Sequence, residues 1–229
     1  MRRKTKGLGL VLVAVLALGA IGAQGAAGHE FSTAYHTTVI SGPNEPGSVY
    51  TLTTNTGAAV GCNKSSLRGV QLATTEADTW TLVPSYSECT FAGNAATIKV
   101  VDCAYIFESD TVGEHADVDL ECSEGGQIEI VTSACTLDIR AQTAIEKGAR
   151  YFNETAPETV TLQTTATNIK VAQKTGSAIL CAFAGTTATA TGNFTLDGDQ
   201  LVSLTNGLTT PNIVIGNGVG IEVTGAPDA

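Results

Sequence analysis

The chain has 229 residues, with 12 Lys+Arg against 22 Asp+Glu, a formal net charge of −10 and a sequence pI of about 4.6. A surface that acidic repels phosphate, which argues against nucleic acid and anionic membranes as partners. Only 15% of residues are charged, while threonine, valine, alanine and glycine dominate. β-Branched side chains fit a pleated surface, so this composition favours strands.

Residues 1–27 read as a signal peptide. Arg2, Arg3, Lys4 and Lys6 form a basic start, and the apolar run Leu8 to Ile21 follows. Its 14 residues fall short of the ~20 that span a bilayer, and the small residues Ala23 to Gly28 offer a cleavage site. Cleavage would take four of the 12 cations and no acids, leaving 8 against 22, a net of −14. The expectation is a secreted protein with no membrane insertion after cleavage. Residues 28–229 are expected to form one β domain, a size that all-β folds commonly reach as one unit.

Strand-like runs recur from Tyr35 onward, punctuated by turn residues such as Gly42 to Gly47. Trp80 and Leu82 share a face in the run Thr79 to Val83, which assigns the only tryptophan to the core, and Pro84 is expected to end that strand. Ala116 to Cys122 alternates strictly: Ala116, Val118, Leu120 and Cys122 lie on one face, Asp117, Asp119 and Glu121 on the other. The apolar face should be buried, with Cys103 and Cys135 also pointing inward. Gly125-Gly126 reads as a turn between strands, and Asp197-Gly198 as the turn of the clearest hairpin, Phe194 to Val202. Ala141 to Arg150 is the best helix candidate, and Glu146 to Glu158 reads as a connection between halves. The whole predicts an all-β fold of antiparallel strands, a sandwich or two packed sheets, held by disulfide staples.

The six cysteines allow 15 connectivities. Locality favours Cys89–Cys103 and Cys122–Cys135 across two short loops, which leaves Cys62–Cys181 as a long-range tie. No Cys-x-x-Cys occurs, so a zinc site is not indicated.

The sequence contains no Gly-x-Ser-x-Gly elbow, P-loop or dinucleotide fingerprint, and no cofactor is implied. Any hydrolytic triad would have to use His29, His36 or His115, with His36 or His115 beside an acid and a hydroxyl. A carbohydrate-binding module would need Trp80, or several of Tyr35, Tyr50, Tyr86, Tyr105 and Tyr151, exposed together. Glu108, Asp110, Glu114, Asp117 and Asp119 put five carboxylates within twelve residues. They are the one weak candidate for calcium, without the spacing of a known calcium loop. The reading that fits best is a non-catalytic extracellular structural or surface-interaction protein with an extracellular partner of unknown identity.

The stretches Gly61-Cys62-Asn63-Lys64, Pro84-Ser85-Tyr86-Ser87-Glu88-Cys89, Cys103-Ala104-Tyr105-Ile106-Phe107 and Val118-Asp119-Leu120-Glu121-Cys122 carry a resemblance. With them the chain resembles a group of uncharacterised secreted, threonine-rich, cysteine-containing β-proteins of high-GC, actinobacterial-type bacteria. The group has no assigned activity, so the resemblance implies compartment and β architecture, and no catalytic residue.

Overall fold

The computed structural model describes residues 31–33, 37–72, 76–109, 115–155, 158–176, 187–204, 212–219 and 221–223. The signal-peptide segment, Cys181, His29, His36 and Tyr35 lie outside them. In chain order the strands are β1 (Phe31–Thr33), β2 (Thr37–Pro43), β3 (Tyr50–Thr54), β4 (Ala59–Leu72), β5 (Glu76–Ala77), β6 (Thr79–Phe91), β7 (Asn94–Ser109) and β8 (His115–Val131). They continue with β9 (Cys135–Ile139), β10 (Gln142–Thr155), β11 (Glu158–Lys170), β12 (Ala172–Gly176), β13 (Thr187–Leu204), β14 (Asn212–Val219) and β15 (Ile221–Val223). All pairings are antiparallel, and no helix occurs among the described residues.

The main sheet closes on itself. Each of β2, β4, β6, β7, β8, β10, β11 and β13 pairs with the next, and β13 returns to pair with β2. This is an eight-position, up-and-down antiparallel ring, wide enough for side chains to fill. The expected all-β antiparallel architecture is present, its two packed faces being opposite walls of one sheet. β2 and β3 occupy the same ring position end to end, since both lie between β4 and β13. β9 and β12 extend the sheet from β8, and β14 pairs with β13. A second small sheet, β15-β1-β5, sets Phe31 opposite Ala77 and Val223.

Inward residues follow the period-two pattern. Ala116, Val118 and Leu120 are buried on β8 while Asp117, Asp119 and Glu121 face out, as the alternation predicts. Phe31 stacks on Trp80 with centroids 4.2 Å apart, and Tyr151 meets Phe31 edge-on at 5.4 Å. These three residues are 0%, 2% and 1% exposed. The Trp80 indole N–H donates to Gln71 Oε1 at 2.8 Å, so its one polar atom is satisfied inside. Toward the other end Tyr50 packs on Tyr86 and Phe194. Gly192 makes room there, because a Cβ would lie 2.9 Å from both the Phe194 and Tyr50 rings.

The long strands bend at identifiable residues. Glu88, Asp102 and Asn168 have φ of +53°, +48° and +58°, a left-handed conformation uncommon outside glycine but tolerated by Asn and Asp. At each of them the alternation slips by one, with two successive exposed residues before burial resumes. Bulges of this kind kink a strand and re-aim its side chains. Gly125 (φ +82°) serves a bulge too, opposite Asp102, where Ser123 to Gly126 stand off the ladder. Gly125-Gly126 is therefore an irregularity inside β8, not a turn between strands.

Two disulfides sit beside these bends, and they correct the expected pairing. Cys62 bonds to Cys89 and Cys103 to Cys122. Each couple is directly opposed across the ladder, with Cα atoms 3.9 and 4.0 Å apart. Cys135 is disulfide-bonded as well. The expected Cys89–Cys103, Cys122–Cys135 and Cys62–Cys181 pairings are all excluded, because Cys62, Cys89, Cys103 and Cys122 have other partners. The physical reason is register. The β6–β7 turn falls at Ala92-Gly93, so the residue opposite Cys89 in β7 is Ala96 and not Cys103. Disulfides of this kind belong to an oxidising compartment.

Other local expectations change for the same reason, pairing overriding propensity. Ala141 to Arg150 lies almost wholly in β10, between β8 and β11, rather than in a helix. Glu146 to Glu158 is the β10–β11 hairpin, not a link between halves. Asp197-Gly198 runs through β13 unbroken, because β2 pairs there. Pro84 lies inside β6, which continues to Phe91.

Candidate functional site

Three interruptions in the ring decide what its outer face can do. The first is the loop between β2 and β3, where β4 loses its neighbour. Asn44 fills the gap: its Oδ1 accepts from the Ser65 N–H at 3.0 Å, and its Nδ2 donates to Asn63 O at 3.2 Å and Ser48 O at 2.7 Å. A side-chain amide has one acceptor and two donors, so it can stand in for a missing strand. Backbone bonds from Asn44 N to Ser65 O and from Glu45 N to Asn193 O complete the seal.

The second is the fork where β8 leaves β10 to pair with β9. Gln142 bridges it in the same manner, its Oε1 accepting from Lys170 N at 2.6 Å and its Nε2 donating to Lys170 O at 3.1 Å. Beside it opens a cleft of about 730 Å3, to which Glu121, Gln142, Thr143, Asn168 and Lys170 contribute.

The third lies between β6 and β7, where no side-chain amide replaces the missing rungs. Their ladder runs from Thr79↔Glu108 to Leu82↔Tyr105 and resumes only at Cys89↔Ala96. Residues 83–88 of β6 and 97–104 of β7 have no rungs between them. Pro84 falls in this stretch, the kind of place in a sheet where a residue with no N–H is tolerated. On the outer face an open cleft of about 560 Å3 forms, with Val83 on one bank and Val100, Ala104 and Ile106 on the other. Asp102 and Glu121 line it as exposed carboxylates, and neither forms an ion pair among the described residues. The Cys103–Cys122 disulfide also contributes to the lining.

Behind this seam lies a tyrosine group. Tyr86 and Tyr105 share a hydroxyl–hydroxyl hydrogen bond of 2.9 Å. Tyr86 is half-buried as a residue, but its hydroxyl is enclosed by protein. Burial first, then the neighbouring Tyr105 and Tyr50 phenols, hold its pKa well above the ordinary value of 10.0. The void bordered by Tyr50, Tyr105, Phe107 and Phe194 is about 20 Å3, room for about one water.

The residues singled out from sequence are placed as follows. Glu108 and Asp117 are opposed across β7–β8, and Asp119 lies two residues on along the same outward face. Asp110 and Glu114 lie outside the described residues. Among those described, no three metal-ligating side chains gather. Trp80, Tyr50 and Tyr151 are buried, while Tyr86 and Tyr105 are turned to each other, so they present no joint aromatic platform. His115 pairs in the ladder with Arg150, and its Nδ1 is buried without a hydrogen-bond partner among the described residues. The sequence reading looked for a ligand in the acidic loop and missed the seam. Pro84 within a strand pattern was the available signal. Compared with protein-family models, curated proteins and solved structures, the chain matches none.

Proposed function

We propose that this chain is a non-catalytic extracellular protein, structural or surface-binding, that works through its outer face. The observation that carries this reading is the filled interior. Stacked aromatics occupy one end and tyrosines with Phe194 the other, and the void that Tyr50, Tyr105, Phe107 and Phe194 border among the described residues is about 20 Å3. A carrier of apolar ligands needs a chamber of some hundreds of Å3.

The polarity of the wall supports the same reading. β8 turns Ala116, Val118 and Leu120 inward and Asp117, Asp119 and Glu121 outward. A lipid-facing barrel needs the reverse, an apolar band outside. The disulfides suit export to an oxidising compartment, in keeping with the basic and apolar start of the chain.

Trp80, the only tryptophan, is a built-in reporter for the test. Titration of the folded protein with fatty-acid-sized and retinoid-sized ligands should leave its emission unchanged. A saturable quench or shift would mean that the interior opens to ligand, and would overturn the reading.

A further inference from the structure

We propose that the Cys103–Cys122 disulfide is a thiol-exchange site, at which Cys122 reversibly captures a small thiol from solution. The protein is here the group modified, not a catalyst, and the capture is independent of any partner that the outer face holds. Cys62, Cys89, Cys103 and Cys135 are 0%, 5%, 4% and 4% exposed, whereas Cys122 is half-buried. Cys122 also lies where the wall is open. β8 pairs with β10 as far as Leu120↔Gln142 and meets β9 only from Ile128 onward. Residues 121–127 therefore have no rung on that side. The fork cleft of about 730 Å3 opens there, and it reaches Cys122 together with buried Leu120 and Ile145.

Exchange at a disulfide requires a thiolate to approach in line with the S–S bond, and access decides which sulfur is attacked. The Cys103–Cys122 couple is directly opposed across β7–β8. The approach to Cys122 opposite Cys103 thus comes from the fork side. The thiolate forms a new S–S bond to Cys122 Sγ and the old bond breaks. Its electron pair leaves on Cys103 Sγ, which takes a proton from water, so one disulfide replaces another with no net oxidation or reduction. Cys103 stays buried opposite Cys122, with Cα atoms 4.0 Å apart, placed to attack the mixed disulfide and expel the guest. Rungs on either side, Val101↔Gln127 and Ala104↔Glu121, keep β7 on β8 meanwhile. The Cys62–Cys89 bond lacks such an approach. Tyr50 pairs with Cys62 on one flank and Ala96 with Cys89 on the other, and both cysteines are buried.

The probe is cysteamine, added to the full native chain at mildly alkaline pH, quenched with iodoacetamide and mapped by mass spectrometry without reduction. Cysteamine should appear on Cys122 and the alkyl group on Cys103, while Cys62, Cys89 and Cys135 stay in their bonds. Trp80 emission should not change as the adduct forms. Thr143→Tyr sets a ring over the cleft from an exposed strand position that suits an aromatic. It should slow capture about tenfold at an unchanged melting temperature, because access limits the rate. Thr167→Tyr, on the β11 side of the same cleft, should do likewise and serves if the first variant melts early. No adduct without denaturant, earlier reaction at Cys62, Cys89 or Cys135, or an adduct on Cys103 in place of Cys122 overturns the proposal. So does an unchanged rate in the folded tyrosine variants, or an adduct that forms only as Trp80 emission shifts, since unfolding then exposes the bond. None of these outcomes bears on the ligand titration of Trp80, so the outer-face reading stands or falls separately.

Discussion

The interruptions at Asn44 and Gln142 differ from the one between β6 and β7 in how they are bridged: the first two by a side-chain amide that replaces backbone rungs, the third only by the Tyr86–Tyr105 hydroxyl pair. Asn44 and Gln142 each give the neighbouring backbone both a donor and an acceptor. Where β6 and β7 part, neither strand sends an amide across. The covalent bonds lie on the far sides instead, tying each bank to the strand behind it. A gap that only needs closing can be closed by one residue.

Removing those disulfides should break the comparison most severely. Cys62→Ala with Cys89→Ala, or Cys103→Ala with Cys122→Ala, should each cost about 3 kcal/mol, within the range for native disulfides. Chemical denaturation of each double variant measures it, and non-reducing peptide mapping should first confirm the two couples. Loss below about 1 kcal/mol would show that the banks stand without staples.

Asn44→Ala should come next. It strips partners from Ser65 N and Asn63 O in a partly buried gap, at a cost of about 2 kcal/mol. Asn44→Asp keeps the acceptor for Ser65 N but loses the donor to Asn63 O and Ser48 O, so it should not rescue. Gln142→Ala should cost less, about 1 kcal/mol, because water can replace bonds in its more exposed setting. Hydrogen exchange at the Lys170 amide should speed up in that variant and change little elsewhere. Equal costs at the two amides would mean that burial does not set the value of a bridging rung.

The smallest effect belongs to Glu129, which ties Lys174 of β12 at 2.9 Å and Lys99 of β7 at 3.6 Å. The hydrogen bond from Lys174 lowers its pKa below the ordinary 4.5, helped by the charges of both lysines. A carboxyl with a folded pKa below its unfolded one adds stability above the unfolded value and loses it as pH falls through the folded one. The difference in melting temperature between the wild type and Glu129→Gln should therefore be present at neutral pH. It should vanish once the pH falls below the carboxylate range. A difference that persists in acid would assign the effect to packing.

The sequence disclosed what depends on one strand at a time. Alternation from Ala116 to Cys122 gave the inner and outer faces of β8, and Trp80 was legible as core from Leu82 beside it. It hid what depends on two strands. Cys103 faces Cys122 because of where the β7–β8 turn falls, which loop length does not encode. Gly125 has the same positive φ in a bulge as in a turn, so its presence could not tell them apart. The helix-forming residues around Glu146 were outweighed by rungs to β8 and β11. An absent ladder is harder still to read, since only Pro84 marked it.

Ring closure sets a clock on folding. The rungs that join the first ring position to the last pair β2 and β3 with β13, Ser41 with Asp197 among them, residues far apart along the chain. The remaining ring rungs link strands near one another in sequence and can form as the chain emerges, but these must wait for nearly all of it. Chains dominated by such distant pairings fold in about milliseconds to seconds, far slower than helical bundles. Until β13 arrives, β2 presents an unpaired edge to its neighbours. Shortening the chain ahead of residue 197 should leave that edge bare permanently, and aggregation rather than a smaller barrel is the expected product.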